Sequence, residues 1–158
     1  MSLPTFLGLL LLVVAQGAPP AGPEHFFVGR TEGTGSVQIM LSGKHKISDR
    51  STGRIDAGGV LVLEQLVDEE GKPARKRSWR LSRSAPDRIT GTISDARGAV
   101  TGEIKGKVLY LRYRSTEGPW VEQSITLNPD GRTATNRMTF TRLGIQVATL
   151  VSTIRRLD

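Results

Sequence analysis

The stretch Asp87–Ser115, DRITGTISDARGAVTGEIKGKVLYLRYRS, alternates apolar and polar residues three times over. That alternation limits the fold more than any other feature of the chain. Ile89, Gly91 and Ile93 share one face, then Val100, Gly102 and Ile104, then Leu109, Leu111 and Tyr113, with Arg112, Arg114 and Tyr110 opposite the last set. A period of two bounded by turn residues is the pattern of a strand with one buried face. Turns are predicted at Asp95–Gly98 and Lys105–Lys107, each with a glycine where a positive φ is wanted. The stretch is an antiparallel meander. It sets the fold class and names no substrate.

The same rhythm covers the rest of the chain. A β reading starts at Phe26, and Val37, Ile39 and Leu41 then fall on one face of Ser36–Ser42. Lys44–Ile55 is a polar, basic strand with Ile47 and Ile55 as its apolar positions, and Val60–Val67 is the most apolar strand, expected to be central. Arg75, Arg77, Trp79, Leu81 and Arg83 share a face. Val121, Gln123, Ile125 and Leu127 share another, as do Ala134, Asn136, Met138 and Phe140. Ile145–Ile154 also carries a helical stripe, but its Ile, Val and Thr content favours a strand. Turn signals such as Asn128-Pro129-Asp130-Gly131 separate these segments. About nine or ten strands with short connections predict an all-β fold, a single antiparallel up-and-down barrel whose closure leaves no edge.

Residues 1–17 read as a signal peptide: Phe6–Ala15 is apolar, too short to span a bilayer, and Ala15-Gln16-Gly17 suits cleavage before Ala18. No Lys or Arg precedes that core, so an uncleaved anchor is the alternative. Residues 18–25, with Pro19, Pro20 and Pro23, read as a proline-rich tether, and residues 26–158 as the barrel domain. The expected location is periplasmic or secreted.

Order and spacing along the chain resemble a family of short bacterial exported proteins of unknown function. The residues concerned are Phe26-Phe27-x-Gly29, Gly33-x-Gly35-x-x-Gln38, Arg77-x-Trp79, Asp95-x-x-Gly98-x-x-x-Gly102-x-x-x-Gly106, Asn136-x-Met138 and Leu143-Gly144. The resemblance implies a lipocalin-like, calycin-type barrel and brings no activity with it. Many members carry a lipoprotein cysteine that this chain lacks, which points to a soluble form. An Asp-Trp stretch expected around residues 122–130 is also missing, which removes the ground for a shared ligand site.

The composition excludes several chemistries. Without cysteine there is no disulfide, thiolate or cysteine metal site, and two histidines, His25 and His45, supply neither a triad nor a usual zinc site. Asp68-Glu69-Glu70 reads as a solvated hairpin tip, Gly33-x-Gly35 lies in no βαβ unit, and no cofactor is expected. A formal net charge of +7, carried wholly at or after Arg30, favours anionic partners. Secretion argues against nucleic acid.

The most suggestive face is that of Arg77, Trp79 and Leu81. An inward Trp79 carries Arg77 inward too, and a buried Arg needs a partner: Glu64, Asp95 or a bound anion. A stack of Arg77 on Trp79 is the structural alternative. Tyr110, Tyr113 and Trp120 are further candidates for the interior. The leading expectation is a non-enzymatic barrel holding a small amphipathic or anionic ligand at Arg77, Trp79 and Tyr113. The alternative is a solid barrel that docks on anionic lipid or polysaccharide of the cell envelope through its basic surface.

Overall fold

The computed structural model describes residues 22–158. The expected signal peptide and the first residues of the tether lie outside the described residues. A 3-10 turn, Pro23–Phe27, leads into ten strands: β1 (Gly29–Ile39), β2 (Gly43–Ile55), β3 (Leu61–Glu69), β4 (Arg75–Ala85), β5 (Arg88–Ile93), β6 (Ala96–Lys105), β7 (Val108–Ser115), β8 (Trp120–Leu127), β9 (Thr133–Arg142) and β10 (Ile145–Arg156). Each strand pairs antiparallel with its neighbours in sequence, and β1 closes on β10 from Thr31↔Arg156 to Ile39↔Ala148. The result is a closed up-and-down barrel, as the alternation predicts. Inward positions hold the core, with Leu61, Leu63, Trp79, Leu109, Val121 and Ile125 all at 5% exposure or less. Ile145–Arg156 is a strand, not a helix.

Four local expectations are corrected. Phe26 and Phe27 do not begin a strand; they sit in the 3-10 turn, edge-to-face at 5.4 Å, and plug one end of the barrel. Burying two aromatic rings stabilises this end more than two extra residues of ladder at a strand start. Gly53 of β2 lets the plug in, because a Cβ there would lie 2.0 Å from the Phe27 carbonyl oxygen. Glu24 is buried beside the plug and pairs with Arg83.

The reversal after β5 is also tighter than read: Ala96 and Arg97 already pair with Ser115 and Arg114 of β7, and Gly98 (φ +77°) lies in an irregular register before Thr101. Leu41 is not inward beside Val37 and Ile39 but fully exposed on the β1–β2 hairpin. Finally, closure gives β3 two neighbours like every other strand, so no strand is central.

Strand direction divides the barrel. The plugged end carries the β2–β3, β4–β5, β6–β7 and β8–β9 connections. The opposite end carries those of β1–β2, β3–β4, β5–β6, β7–β8 and β9–β10.

Candidate functional site

The three expected site residues meet inside the barrel towards the unplugged end. Arg77 and Trp79 point inward from β4 with Leu81 by strand parity, and Tyr113 arrives from β7; all three are buried. The Arg77 guanidinium lies 4.9 Å from the Trp79 ring centroid, within cation–π range. Its Nη2 donates to the Tyr113 hydroxyl at 3.1 Å.

Arg77 is also paired within the chain. Asp95, on the reversal between β5 and β6, accepts from Nη2 through Oδ1 at 2.9 Å, and its Oδ2 lies 2.7 Å from Nε. The Nε–H points off that contact and makes no hydrogen bond. Nη1 donates to Gln65 Oε1 at 3.2 Å, which also accepts from the Trp79 indole N–H at 3.2 Å. Gln65 Nε2 in turn donates to Asp49 Oδ2 at 2.9 Å. The cluster therefore holds one guanidinium, two carboxylates, an amide and a phenol. Its two ionic partners differ in exposure: the Arg77 side chain is 7% accessible and the Asp95 side chain 31%. Asp95 is the member able to rehydrate.

Electrostatics follow from that placement. Burial works against the Arg77 charge, but the Asp95 carboxylate and the hydrogen bonds to Asp95 and the Tyr113 hydroxyl outweigh it, so Arg77 is held more firmly cationic than usual. Burial pushes the Tyr113 phenol up, against the pull of Arg77, so it stays a neutral hydroxyl. Burial also raises Asp49 above the usual carboxylate range, with the Gln65 hydrogen bond and Arg77 opposing and Glu32 assisting.

A second polar chain crosses the facing wall. Gln123 Nε2 donates to Asn136 Oδ1 at 2.8 Å, and Asn136 Nδ2 to Ser152 Oγ at 3.1 Å, all three residues being buried. Gln123 Oε1 is left without a partner. Between the two polar groups lies a cavity of about 110 Å³, with Leu61, Leu63, Leu109, Leu111 and Ile125 among its apolar walls. It reaches from Phe27 at the plug to Arg75, Asp95 and Glu117 at the open rim. Pockets for drug-sized ligands run to roughly 300–1,000 Å³. This one admits a slim chain or a small group, not a bulky ring system.

Tyr110 and Trp120 do not join the site. Each lies on the outer face, covered by Lys105 at 5.6 Å and Arg112 at 4.5 Å respectively. Strand parity is the reason, since Tyr110 falls between inward Leu109 and Leu111, and Trp120 precedes inward Val121. Glu64 is likewise exposed and cannot partner Arg77. The residues that sequence reasoning missed are Asp49 and Gln65. Both have inward parity, Asp49 between Ile47 and Ser51 and Gln65 between Leu63 and Val67, and a polar residue in such a series was the available signal.

A family profile described as "Protein of unknown function (DUF3833)" matches residues 12–156. No curated protein matches the chain. Among solved structures, the S-type phycobiliprotein lyase of Guillardia theta is similar, with a TM-score of 0.68 at 8% identity over 85% of this chain and 90% of that one. A protein of unknown function from Nostoc punctiforme, of the DUF3598 family, gives a TM-score of 0.59 at 13% identity over 90% of this chain and 53% of the other. At such identities the likeness concerns the fold: a lipocalin-like barrel.

Proposed function

The chain belongs to the DUF3833 family, and for this member we propose a non-enzymatic barrel that binds a slim amphipathic molecule bearing a carboxylate or similar anionic group. One observation carries the reading: an apolar cavity open at one end has at its mouth a buried Arg77 whose partner, Asp95, is itself partly in water. Asp95 is the resident counter-ion, standing where a ligand carboxylate would stand. An entering anion takes over the contacts to Arg77 and Tyr113 while Asp95 turns out to solvent, and its apolar tail lies along Leu63, Leu109 and Leu111. Trp79 and Gln65 hold the guanidinium in place throughout. Net charge at the mouth is conserved only because Asp95 leaves, so a neutral amphiphile gains nothing from the exchange. The solved lyase lends the fold to this reading and nothing of its activity.

Decanoate titrated into the full chain by calorimetry tests the proposal. Arg77→Met should abolish binding. Asp95→Asn removes the competing carboxylate, keeps the side chain's shape, and should tighten binding roughly tenfold. The reading fails if neither wild type nor Asp95→Asn binds, or if Arg77→Met binds as wild type does. Export through a leader over residues 1–17 belongs to the same reading. Protein recovered from an envelope fraction should begin at Ala18, and an intact Met1 would count against it.

A further inference from the structure

Two hairpin tips stand side by side at the open end of the barrel. β1 pairs with β10, and the Met40 N–H donates to the Val147 carbonyl at 2.9 Å, so the β1–β2 and β9–β10 hairpins are neighbours in the wall. At their apices Leu41 is 100% and Leu143 96% exposed, flanked by Met40 and Ile145 at about half exposure. Both leucines have positive φ, +66° and +50°, the only non-glycine residues described that do. A leucine is an unfavourable choice for left-handed backbone, where Gly or Asn sits without penalty. At both apices the chain thus sets a large apolar side chain in a conformation that a smaller or more polar residue would occupy more easily, and leaves it in water.

The two tips themselves carry charge of one sign. No Asp or Glu occurs within residues 33–48 or 133–155, while Lys44, Lys46 and Arg142 lie at or near the two tips. The nearest acidic side chains belong to the neighbouring β3–β4 hairpin, where Glu69 is held by Lys72 at 3.1 Å. Glu70 Oε2 there accepts from the Lys46 backbone N–H at 2.9 Å, leaving the Lys46 ammonium free among the described residues. Arg142 donates through Nη2 to the Glu117 carbonyl at 2.6 Å, which fixes its guanidinium beside the second tip. We propose that these two tips dock the open end of the barrel on an anionic lipid bilayer, with Leu41 and Leu143 inserted among the acyl chains and Lys44, Lys46 and Arg142 against the lipid phosphates. The surface is a pair of convex apolar points, not a groove. A bilayer accepts isolated convex side chains without a shaped counterpart, and the cations match its charge. This surface is distinct from the general basic face and independent of what the cavity holds.

The test reads insertion locally, so that residues 1–21 cannot mimic it. The chain has no cysteine, so Leu41→Cys, Leu143→Cys and, on the β6–β7 hairpin at the plugged end, Lys107→Cys each accept one environment-sensitive fluorophore. With vesicles containing phosphatidylglycerol, the labels at 41 and 143 should shift to the blue and be quenched by acyl-chain nitroxides. The label at 107 should do neither, and phosphatidylcholine alone should give a weak response everywhere. An Ile145→Cys label then reports the double variant Leu41→Asn, Leu143→Asn. Asn suits left-handed backbone, so this protein should unfold no more easily than its parent, yet it should need roughly a hundredfold more lipid for the same response. Equal responses at 41, 143 and 107, none at 41 and 143, or an unchanged lipid requirement in the Asn variant would each overturn the proposal. So would loss of self-association in the Asn variant without any vesicle response in wild type, which makes the tips a contact between copies.

Discussion

Replacing Arg77 by Met separates the charge from the stem that carries it. Met fills most of the volume along β4, so little of the loss comes from a cavity. What goes is the hydrogen bonds to Gln65, Tyr113 and Asp95 and the stack on Trp79. Neutral partners contribute about 1 kcal/mol each and the stack about as much. Removing one member of a fully buried ion pair costs about 3–5 kcal/mol. Asp95 is about a third exposed and rehydrates, so its share is discounted to about 1 kcal/mol. The expected loss is therefore roughly 3–4 kcal/mol at pH 7, most of it from buried groups left unpaired. Urea unfolding of Arg77→Met, Asp95→Asn and the double variant measures both the loss and the coupling. The pair should couple by about 1 kcal/mol or more. A loss below roughly 1 kcal/mol for Arg77→Met, with no coupling to Asp95→Asn, refutes the assignment of Asp95 as resident counter-ion.

Two further predictions follow from the same interior. Asp49 is raised above its unfolded value by burial, so between about pH 4 and its native pKa the folded state holds more protons than the unfolded chain. Stability from this group is complete below about pH 4 and falls as pH rises through that window; Asp49→Asn should flatten the slope in urea midpoints, and an unchanged slope sinks the assignment. Asp56, Asp130 and Asp158 are lowered and act with the opposite sign, losing stability as pH falls through their native values, so the two effects separate. Trp79→Ala should cost about 3–5 kcal/mol in denaturant unfolding, since the ring is buried between Leu63 and Ile93. A change under roughly 1 kcal/mol would place the ring outside.

Parity made most of this fold legible. Once Trp79 and Leu81 are taken as inward, Arg77 follows, and the pairing Trp79↔Leu63 sets the next strand as well. The same rule carried to Asp49, Gln65, Tyr110 and Trp120 assigns all four correctly, so those misses came from weighing residue type above position. Other features were illegible for a physical reason. Which carboxylate reaches Arg77 depends on the β4–β5 register: with Trp79 opposite Ile93, the next position on that face brings Asp95 to Arg77 from 18 residues away in sequence. The plug depends on a close approach of Phe27 to Gly53 across the barrel end. The leucine tips depend on where strand pairing stops: continued by one more pair, Leu41 would have joined Val37 and Ile39 inside.

Arg77, Asp95 and the leucine tips all stand at the end of the barrel opposite the Phe26–Phe27 plug, so the mouth of the cavity and the tips share one end. If that end docks on lipid, the mouth faces the bilayer and the Arg77–Asp95 pair loses water. A lower dielectric strengthens the pair and makes an unaccompanied Asp95 carboxylate costlier to turn outward. Exchange under lipid is then slower than in water, because Asp95 has to leave Arg77 where little water is there to receive its carboxylate. Decanoate release, followed by stopped flow, should accordingly be slower from vesicle-bound than from free protein. Identical release rates in the two states would separate the cavity from the docking surface and leave the two proposals standing, or falling, alone.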